Sequence, residues 1–433
     1  MRASSSWSTF RVSDLQAPRR YALNGGPFGS KLVSNDYVPE GVPVIRGANL
    51  PEHSRFSMND FVFVSEPKAD ELLPNNAHPG DLVFTQRGTL GQVGLIPRTS
   101  PFSRFVISQS QMKLTVDEKK ADAAFLYYYF RAPRTVQQIH NLAFSTGVPH
   151  INLDILRNFE VRLPPLPAQK RIRAILSTYD DLIMNNTRRI RILEEMAQAI
   201  YREWFVHFRY PGHKKVKLVP SPLGPIPEGW TIARVSDLVD AQYGYTESAT
   251  TDQIGPKFVR GMDINKNSFI DWSSVPYCKI SEEDQPKYRL EQRDVLVIRM
   301  ADPGKAGIIE KAVDAVFASY LIRLKVRPGF LTPYFLFHFL LSDRYQGYIT
   351  GASTGTTRRS ASAAVITGVD LVLPPEPLLG RFEEQVAPVR AALNNLLDRN
   401  AVLHRTCDYL LPKLISGELD VSDLDINVGD AAA

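Results

Sequence analysis

The chain is written twice, and no other feature restricts its possible folds as much. Trp7-Ser-Thr-Phe-Arg-Val-Ser-Asp-Leu15 returns as Trp230-Thr-Ile-Ala-Arg-Val-Ser-Asp-Leu238, with six of nine positions identical. Further on, Val44–Gly47 matches Phe258–Gly261 and Asp81–Phe84 matches Asp294–Val297, while Gly91 and Gly94 match Gly304 and Gly307. Thr146-Gly147 matches Thr354-Gly355, and Leu163-Pro-Pro-Leu-Pro167 matches Leu373-Pro-Pro-Glu-Pro377. The separation of matched positions falls from 223 residues at the first match to 208–210 at the last two, as loop deletions in the second copy would produce. One short match arises by chance; a collinear series does not, so the fold must be one that repeats.

Each copy has two textures. Residues 7–163 and 230–373 mix short β-rich runs with Gly, Pro and Asn turns, which predicts strands at Val42–Ile45, Asp81–Phe84 and Met112–Val116, and at Lys257–Val259, Asp294–Ile298 and Leu321–Val326. Each also holds an aromatic-rich helical stretch, Ala123–Phe130 and Pro333–Leu341, whose aromatics read as core. These parts are expected to be similar, compact α+β domains.

After each Pro-Pro-x-Pro come about forty residues with few breakers, a long helix opening on proline. Ile172, Leu176, Tyr179, Ile183, Asn186, Ile190, Leu193, Ala197 and Ile200 recur at alternating steps of four and three. Phe382, Val386, Val389, Leu393, Leu396, Asn400, Leu403, Cys407 and Leu410 repeat that series 210 residues later. A 3.5-residue period keeps one stripe facing a partner, so the pattern predicts an antiparallel coiled coil of about 60 Å at ~1.5 Å per residue. The alternative is two amphipathic helices packed separately on their own domains. Each seam carries one Asn, a layer apart in the two copies, and a buried Asn can fix register at a cost in stability.

The resulting division is residues 1–164 for the first domain, 165–209 for a helical region, 210–229 for a Pro-rich basic linker, 230–374 for the second domain and 375–417 for the second helical region. Residues 418–433 read as a disordered acidic tail.

Composition narrows the function classes. The 433 residues are 44% hydrophobic with net charge +5, and the tail contributes five acidic residues and no basic one, so residues 1–417 carry +10. That excess suits an anionic partner such as nucleic acid. Two cysteines cannot build a disulfide framework or a cysteine-rich zinc site, so a reducing compartment is expected. The first residues contain no apolar signal-like core, and no stretch approaches 18 consecutive apolar residues, which argues against secreted and membrane-spanning readings.

Catalytic motifs are missing. There is no G-x-x-x-x-G-K-[ST], no G-x-G-x-x-G after a strand, no H-E-x-x-H and no Asn/Asp-Pro-Pro-aromatic tetrapeptide of amino-group methyltransferases. Asp60 with Glu66-Pro67-Lys68 is a loose nuclease-like pattern, but Pro67 and its surroundings read as a surface turn. No catalytic residue and no metal ligand is assigned.

Two similar domains on a rod can present two reading surfaces at a set separation, comparable to a ~34 Å turn of B-DNA. Candidate DNA-binding side chains lie in Gly-rich loops. In the first domain they are Lys31 after Gly25-Gly-Pro-Phe-Gly29-Ser30, Arg46, Gln86, Arg87, and Thr146 and His150 of the Ser145–His150 loop. In the second they are Tyr243, Tyr245, Arg260, Arg299, Lys305, Thr357, Arg358 and Arg359. Arg takes guanine bidentately and Gln takes adenine, while Lys and Ser/Thr suit phosphate.

With these residues in view, the chain resembles the specificity (S) subunits of Type I restriction-modification systems over essentially its whole length. The resemblance rests on Gly26-Pro-Phe-Gly29-Ser, Gly41-Val-Pro-Val-Ile-Arg-Gly47, Leu163-Pro-Pro-Leu-Pro-Ala-Gln169-Lys-Arg-Ile172 and Ile175-Leu-Ser-Thr-Tyr-Asp-Asp181. It extends through Met196 to Phe208, Leu223-Gly-x-Ile-Pro-Glu-Gly-Trp230 and Leu410-Leu-Pro-Lys-Leu-Ile-Ser-Gly417. It implies a non-catalytic prokaryotic cytoplasmic protein with two target-recognition domains, each reading half of a bipartite double-stranded DNA site. It further implies that the paired helices act as spacer and dock two methylase subunits, and that restriction subunits join. S-adenosylmethionine and ATP with magnesium would belong to those partners, and no cofactor to this chain. The second copy departs from the pattern: Pro-Glu-Pro-Leu-Leu-Gly380 lacks the Gln and basic residue of the first, and Tyr243-Gly-Tyr-Thr replaces Gly-Pro-Phe-Gly. Two other readings remain open on the residues alone: a coiled-coil scaffold with two protein-binding domains, and a methyltransferase fused to its own recognition domain.

Overall fold

The computed structural model describes residues 7–52, 54–143, 149–353, 359–426 and 428. It divides into two compact units, one running to Asn185 and resuming at Val402, the other spanning Asn186–Ala401. The division therefore passes through both long helices.

In the first unit an antiparallel four-stranded sheet has the order Leu23–Gly25, Gln111–Leu114, Leu82–Thr85, Val93–Leu95. A five-stranded sheet includes Val42–Ile45 parallel to Phe105–Ile107, with Val44 opposite Val106. In the second unit the corresponding four-stranded order is Val239–Tyr243, Leu321–Val326, Val295–Ile298, Ala306–Ile308. Lys257–Val259 again runs parallel to a partner, Ala315–Phe317. The duplication read from the sequence is a duplication of topology.

Each aromatic helix is buried on nearly every side because it has almost no polar face. Ala123–Arg131 starts at Asp122, whose carboxylate accepts from Phe125 N at 2.9 Å. Pro333–Leu340 starts at Thr332, whose hydroxyl accepts from Phe335 N at 3.4 Å. Such caps satisfy amide groups that an isolated helix start leaves open. Phe125, Tyr127, Phe335 and Phe337 are fully enclosed, as expected for core aromatics.

The long helices span Leu166–Tyr201, extended by a π-helical turn at Arg202–Val206, and Glu376–Ser416. They pair with each other. In the first unit Ile172 and Leu176 share a core with Leu414 and Ile415, against which Cys407 and Leu410 pack. In the second, Ile190 clusters with Leu393 and Leu396, and Ala197, Tyr201 and Phe205 cluster with Phe382 and Val386. Early positions of one helix meet late positions of the other, so the pair is antiparallel. Ile183, Asn186 and Asn400 are buried seam positions, while Leu193, Ile200 and Leu403 are half-buried. The separate-packing alternative does not hold.

The departure at Leu379 has a physical reason. Its counterpart Gln169 is buried, donating to Pro164 O at 2.9 Å and accepting from Asp122 N at 2.9 Å. Leu379 fills its place within an apolar core. A buried amide must find partners, whereas a leucine needs only contact.

One expectation needs correction. The acidic tail is not free along its described length: Val421 is buried in the first unit's core, and Arg173 donates to Val428 O at 3.0 Å. An apolar side chain with a vacant site on a folded surface outweighs the charge around it. The basic linker carries a short ladder, Leu218–Val219 against Ile226–Pro227, and Ile226 is buried.

Candidate nucleic-acid interface

In each domain the candidate side chains converge on one tight turn at the edge of the sheets. In the first it is Ser108–Gln111, closed by Gln111 N donating to Ser108 O at 3.1 Å. Ser108 N donates to Ile45 O at 3.0 Å, which delivers Arg46. Gln86 N donates to Ser110 O at 2.7 Å, and Ile151 N to Gln86 O at 3.0 Å, which brings Gln86, Arg87 and His150 together. Arg87 and His150 also face each other across an antiparallel bridge. Gly26 N donates to Gln111 O at 2.8 Å and anchors the loop that carries Lys31.

The second domain repeats the construction at Ala318–Leu321. Ala318 N donates to Val259 O at 2.9 Å and delivers Arg260; Arg299 N donates to Tyr320 O at 2.9 Å; Ala361 N donates to Arg299 O at 2.9 Å. Gly244 N donates to Leu321 O at 3.2 Å and places Tyr243 and Tyr245. Met300 and Ala301 pair with Ser360 and Arg359. Gln86 and Arg299 therefore occupy the same place in the two copies, as do Arg46 and Arg260.

The glycines at the turn are needed for close approach. A Cβ on Gly26 would lie 2.0 Å from Ser108 O, and one on Gly244 2.3 Å from Ala318 O. The first copy's loop is held further by Gln109, whose amide donates to Gly29 O at 2.6 Å and Leu32 O at 3.1 Å.

The side chains differ in availability. Lys31, Arg87, Lys305 and Arg359 are exposed. Arg46 donates to Asp60 O at 2.7 Å. Arg260 is forked onto Asp263, at 3.1 and 2.9 Å, which leaves it poorly suited to a base. Arg299 lies over the Tyr243 ring at 5.0 Å, a cation–π contact, and the Tyr243 hydroxyl accepts from Ala363 N at 2.9 Å. Tyr245 stands 5.2 Å from Tyr288, ring to ring. Thr146, Thr357 and Arg358 lie outside the described residues.

Two edge residues escaped sequence reasoning. Phe28 is 83% exposed at the tip of the Lys31 loop, and Tyr320 is 55% exposed in the second turn. An aromatic between turn-forming residues cannot be core, and the Gly-Pro-Phe-Gly spacing carried that signal. Exposed aromatics beside basic groups suit stacking on, or wedging between, bases.

A family model described as the Type I restriction modification DNA specificity domain matches residues 28–195, which include the first turn and most of the first long helix. Residues 28–195 thus carry the match to that specificity domain. It is similar to the Type I restriction enzyme MjaIX specificity subunit of Methanocaldococcus jannaschii, 24% identical over 80% of this chain and 79% of that one. It is also similar to the MjaVIII specificity subunit of the same organism, 24% identical over 74% of this chain and 76% of that one. The fold resembles the crystal structure of a Type I restriction-modification S subunit from M. genitalium, with TM-score 0.58 and 15% identity, covering 96% of this chain and 97% of that one. Among the described residues, no helix is long and apolar enough to cross a membrane.

Proposed function

We propose that the chain reads a bipartite double-stranded DNA target, one half-site per domain, and directs methylase and restriction subunits to it without catalysing a reaction itself. One observation carries the reading: the same hydrogen-bonded turn occurs in both domains and presents polar and basic residues at equivalent positions, but different ones, Gln86 in one and Arg299 in the other. Two similar scaffolds with different side chains read two different half-sites. Lys31, Arg87, Lys305 and Arg359 serve the phosphates, with Gln86 and Arg299 as base readers. The paired helices set the unread spacer. They also dock two methylase subunits, for which the exposed Leu182, Met184, Ile192 and Met196 on the first helix are suited. S-adenosylmethionine and ATP with magnesium act on the partner subunits, in the prokaryotic cytoplasm.

The test is duplex binding by the chain with its methylase partners at increasing salt. DNA reading requires affinity that falls linearly on a log–log plot, with a slope of about −0.9 for each phosphate contact, and bipartite methylation of host DNA that disappears with this gene. Affinity indifferent to salt would support the scaffold reading instead.

A further inference from the structure

Each domain is fastened to its own long helix by two polar layers seven residues apart, and the two copies use opposite charges. Most of these layers are half-buried and one, Arg390 with Glu310, is buried. On the first helix, Arg173 pairs with Asp122 of the domain at 3.4 Å. One heptad on, Asp180 accepts from Arg55 at 3.3 Å and from the Tyr128 hydroxyl at 2.6 Å. Arg55 also donates to Ser177 O at 3.0 Å and to Asp181 at 2.8 Å.

On the second helix the residues 210 positions later are Glu383 and Arg390. Glu383 accepts from the domain's Arg293 at 2.8 Å. Arg390 is fully buried and forked onto Glu310 at 2.8 and 2.7 Å, and it donates twice more to Ser268, each at 2.8 Å. Ser268 stands where the first domain has Arg55, and Thr332 where it has Asp122. The helix side reads basic then acidic in the first copy, and acidic then basic in the second.

We propose that this reversed polarity is a key that ties each domain to its own helix and prevents either domain from docking in the other's place. The chemistry of a wrong docking follows directly. A first domain on the second helix would set Asp122 against Glu383 and Arg55 against Arg390. A second domain on the first helix would set Arg293 against Arg173 and Glu310 against Asp180. Every mismatch replaces an attraction by a repulsion, and the penalty is largest at the buried Arg390 layer, where the charge also lacks hydration. A duplicated chain faces this hazard more than most, because its halves share topology. The charge reversal opposes wrong docking alongside differences in apolar packing such as Phe382 for Ile172. The inference concerns assembly of the fold and does not depend on what the domains bind.

The test uses the full chain and a chimera in which residues 231–373 are replaced by a second copy of residues 8–163. Both are made with and without the paired substitution Glu383→Arg, Arg390→Asp, and thermal unfolding is followed. The chimera should aggregate or melt about 5 °C or more below the natural chain, and the paired substitution should raise its Tm while lowering that of the natural chain. The opposite signs are the signature of a key. A chimera as stable as the natural chain overturns the proposal, as does a paired substitution that leaves the chimera unrecovered or moves both chains in one direction.

Discussion

The Asn186 amide donates to the Asn400 carbonyl oxygen at 2.9 Å inside the seam of the paired helices. The positions related to these by the internal repeat are Leu396 and Ile190, which share an apolar cluster. The one-layer offset between the two asparagines therefore brings them face to face across an antiparallel pair. It also makes one layer polar where its repeat-related layer is greasy. In a nearly symmetric helix pair, that layer distinguishes the two directions and penalises a slip of one heptad, which would bury an amide against leucine.

Replacing one partner is expected to cost more than replacing both. Asn186→Leu alone leaves Asn400 buried with only a 3.4 Å donation to Thr187, at a loss of about 1–3 kcal/mol. Asn186→Leu with Asn400→Leu should unfold at or above the natural temperature, because Ile190 and Leu396 already show that the geometry accepts an apolar layer. Calorimetry of the two variants checks this; a double variant less stable than either single one contradicts it.

Phe382 is fully buried against Tyr201, Trp204, Phe205 and His338, with ring centroids 4.9–6.2 Å away. Phe382→Ala should destabilise the second unit by about 3–5 kcal/mol through lost contact and a residual cavity. Leu403→Ala, at a half-buried seam position, should cost clearly less. Denaturant titration of both variants makes the comparison.

Burial, reinforced by Arg390, pushes the His338 imidazole down to about 3. Its Nδ1 lies 2.7 Å from Gln198 Oε1, while Nε2 is buried without a hydrogen-bond partner. The folded chain thus keeps the ring neutral where the unfolded chain protonates it near 6.5. Stability is intact above pH 6.5 and falls by about 1.4 kcal/mol per unit as the pH drops from there toward 3. His338→Gln should flatten that slope between pH 6.5 and 4 relative to the natural chain, as urea unfolding at several pH values would reveal.

Gly26→Ala drives a methyl into Ser108 O and should displace the turn that collects Arg46, Gln86 and Lys31. Duplex affinity is expected to drop about tenfold or more, about 1.4 kcal/mol. Gly25→Ala next to it, with nothing within 4 Å of the new Cβ, should leave affinity unchanged. Equal effects would mean that the turn does not organise the interface.

Removing residues 187–193 together with 393–399 deletes a heptad from each helix and shortens the pair by about 10 Å. The spacer between methylated half-sites should contract by about 3 base pairs, with the half-site sequences unchanged. Mapping of methylated positions decides the outcome, and an unaltered spacer would remove the helices from the role of ruler.

Sequence alone determined the duplication, the two long helices, their seam and the main strands, because each rests on a period or a local run that a linear reading can follow. Asn186 and Asn400 stood out for the same reason: they interrupt a series. The Arg260–Asp263 pair was within reach too, being three residues apart. Tertiary structure alone decided which residues meet across long separations. The turns at Ser108 and Ala318 gather segments from four parts of each domain, and Arg55 finds Asp180 over 125 residues. Arg390 and Asp180 hold one place in the repeat yet carry opposite charges, so aligning the copies conceals what they do. A charge pair is defined by the partner it faces in space, and periodicity along the chain holds no record of that partner.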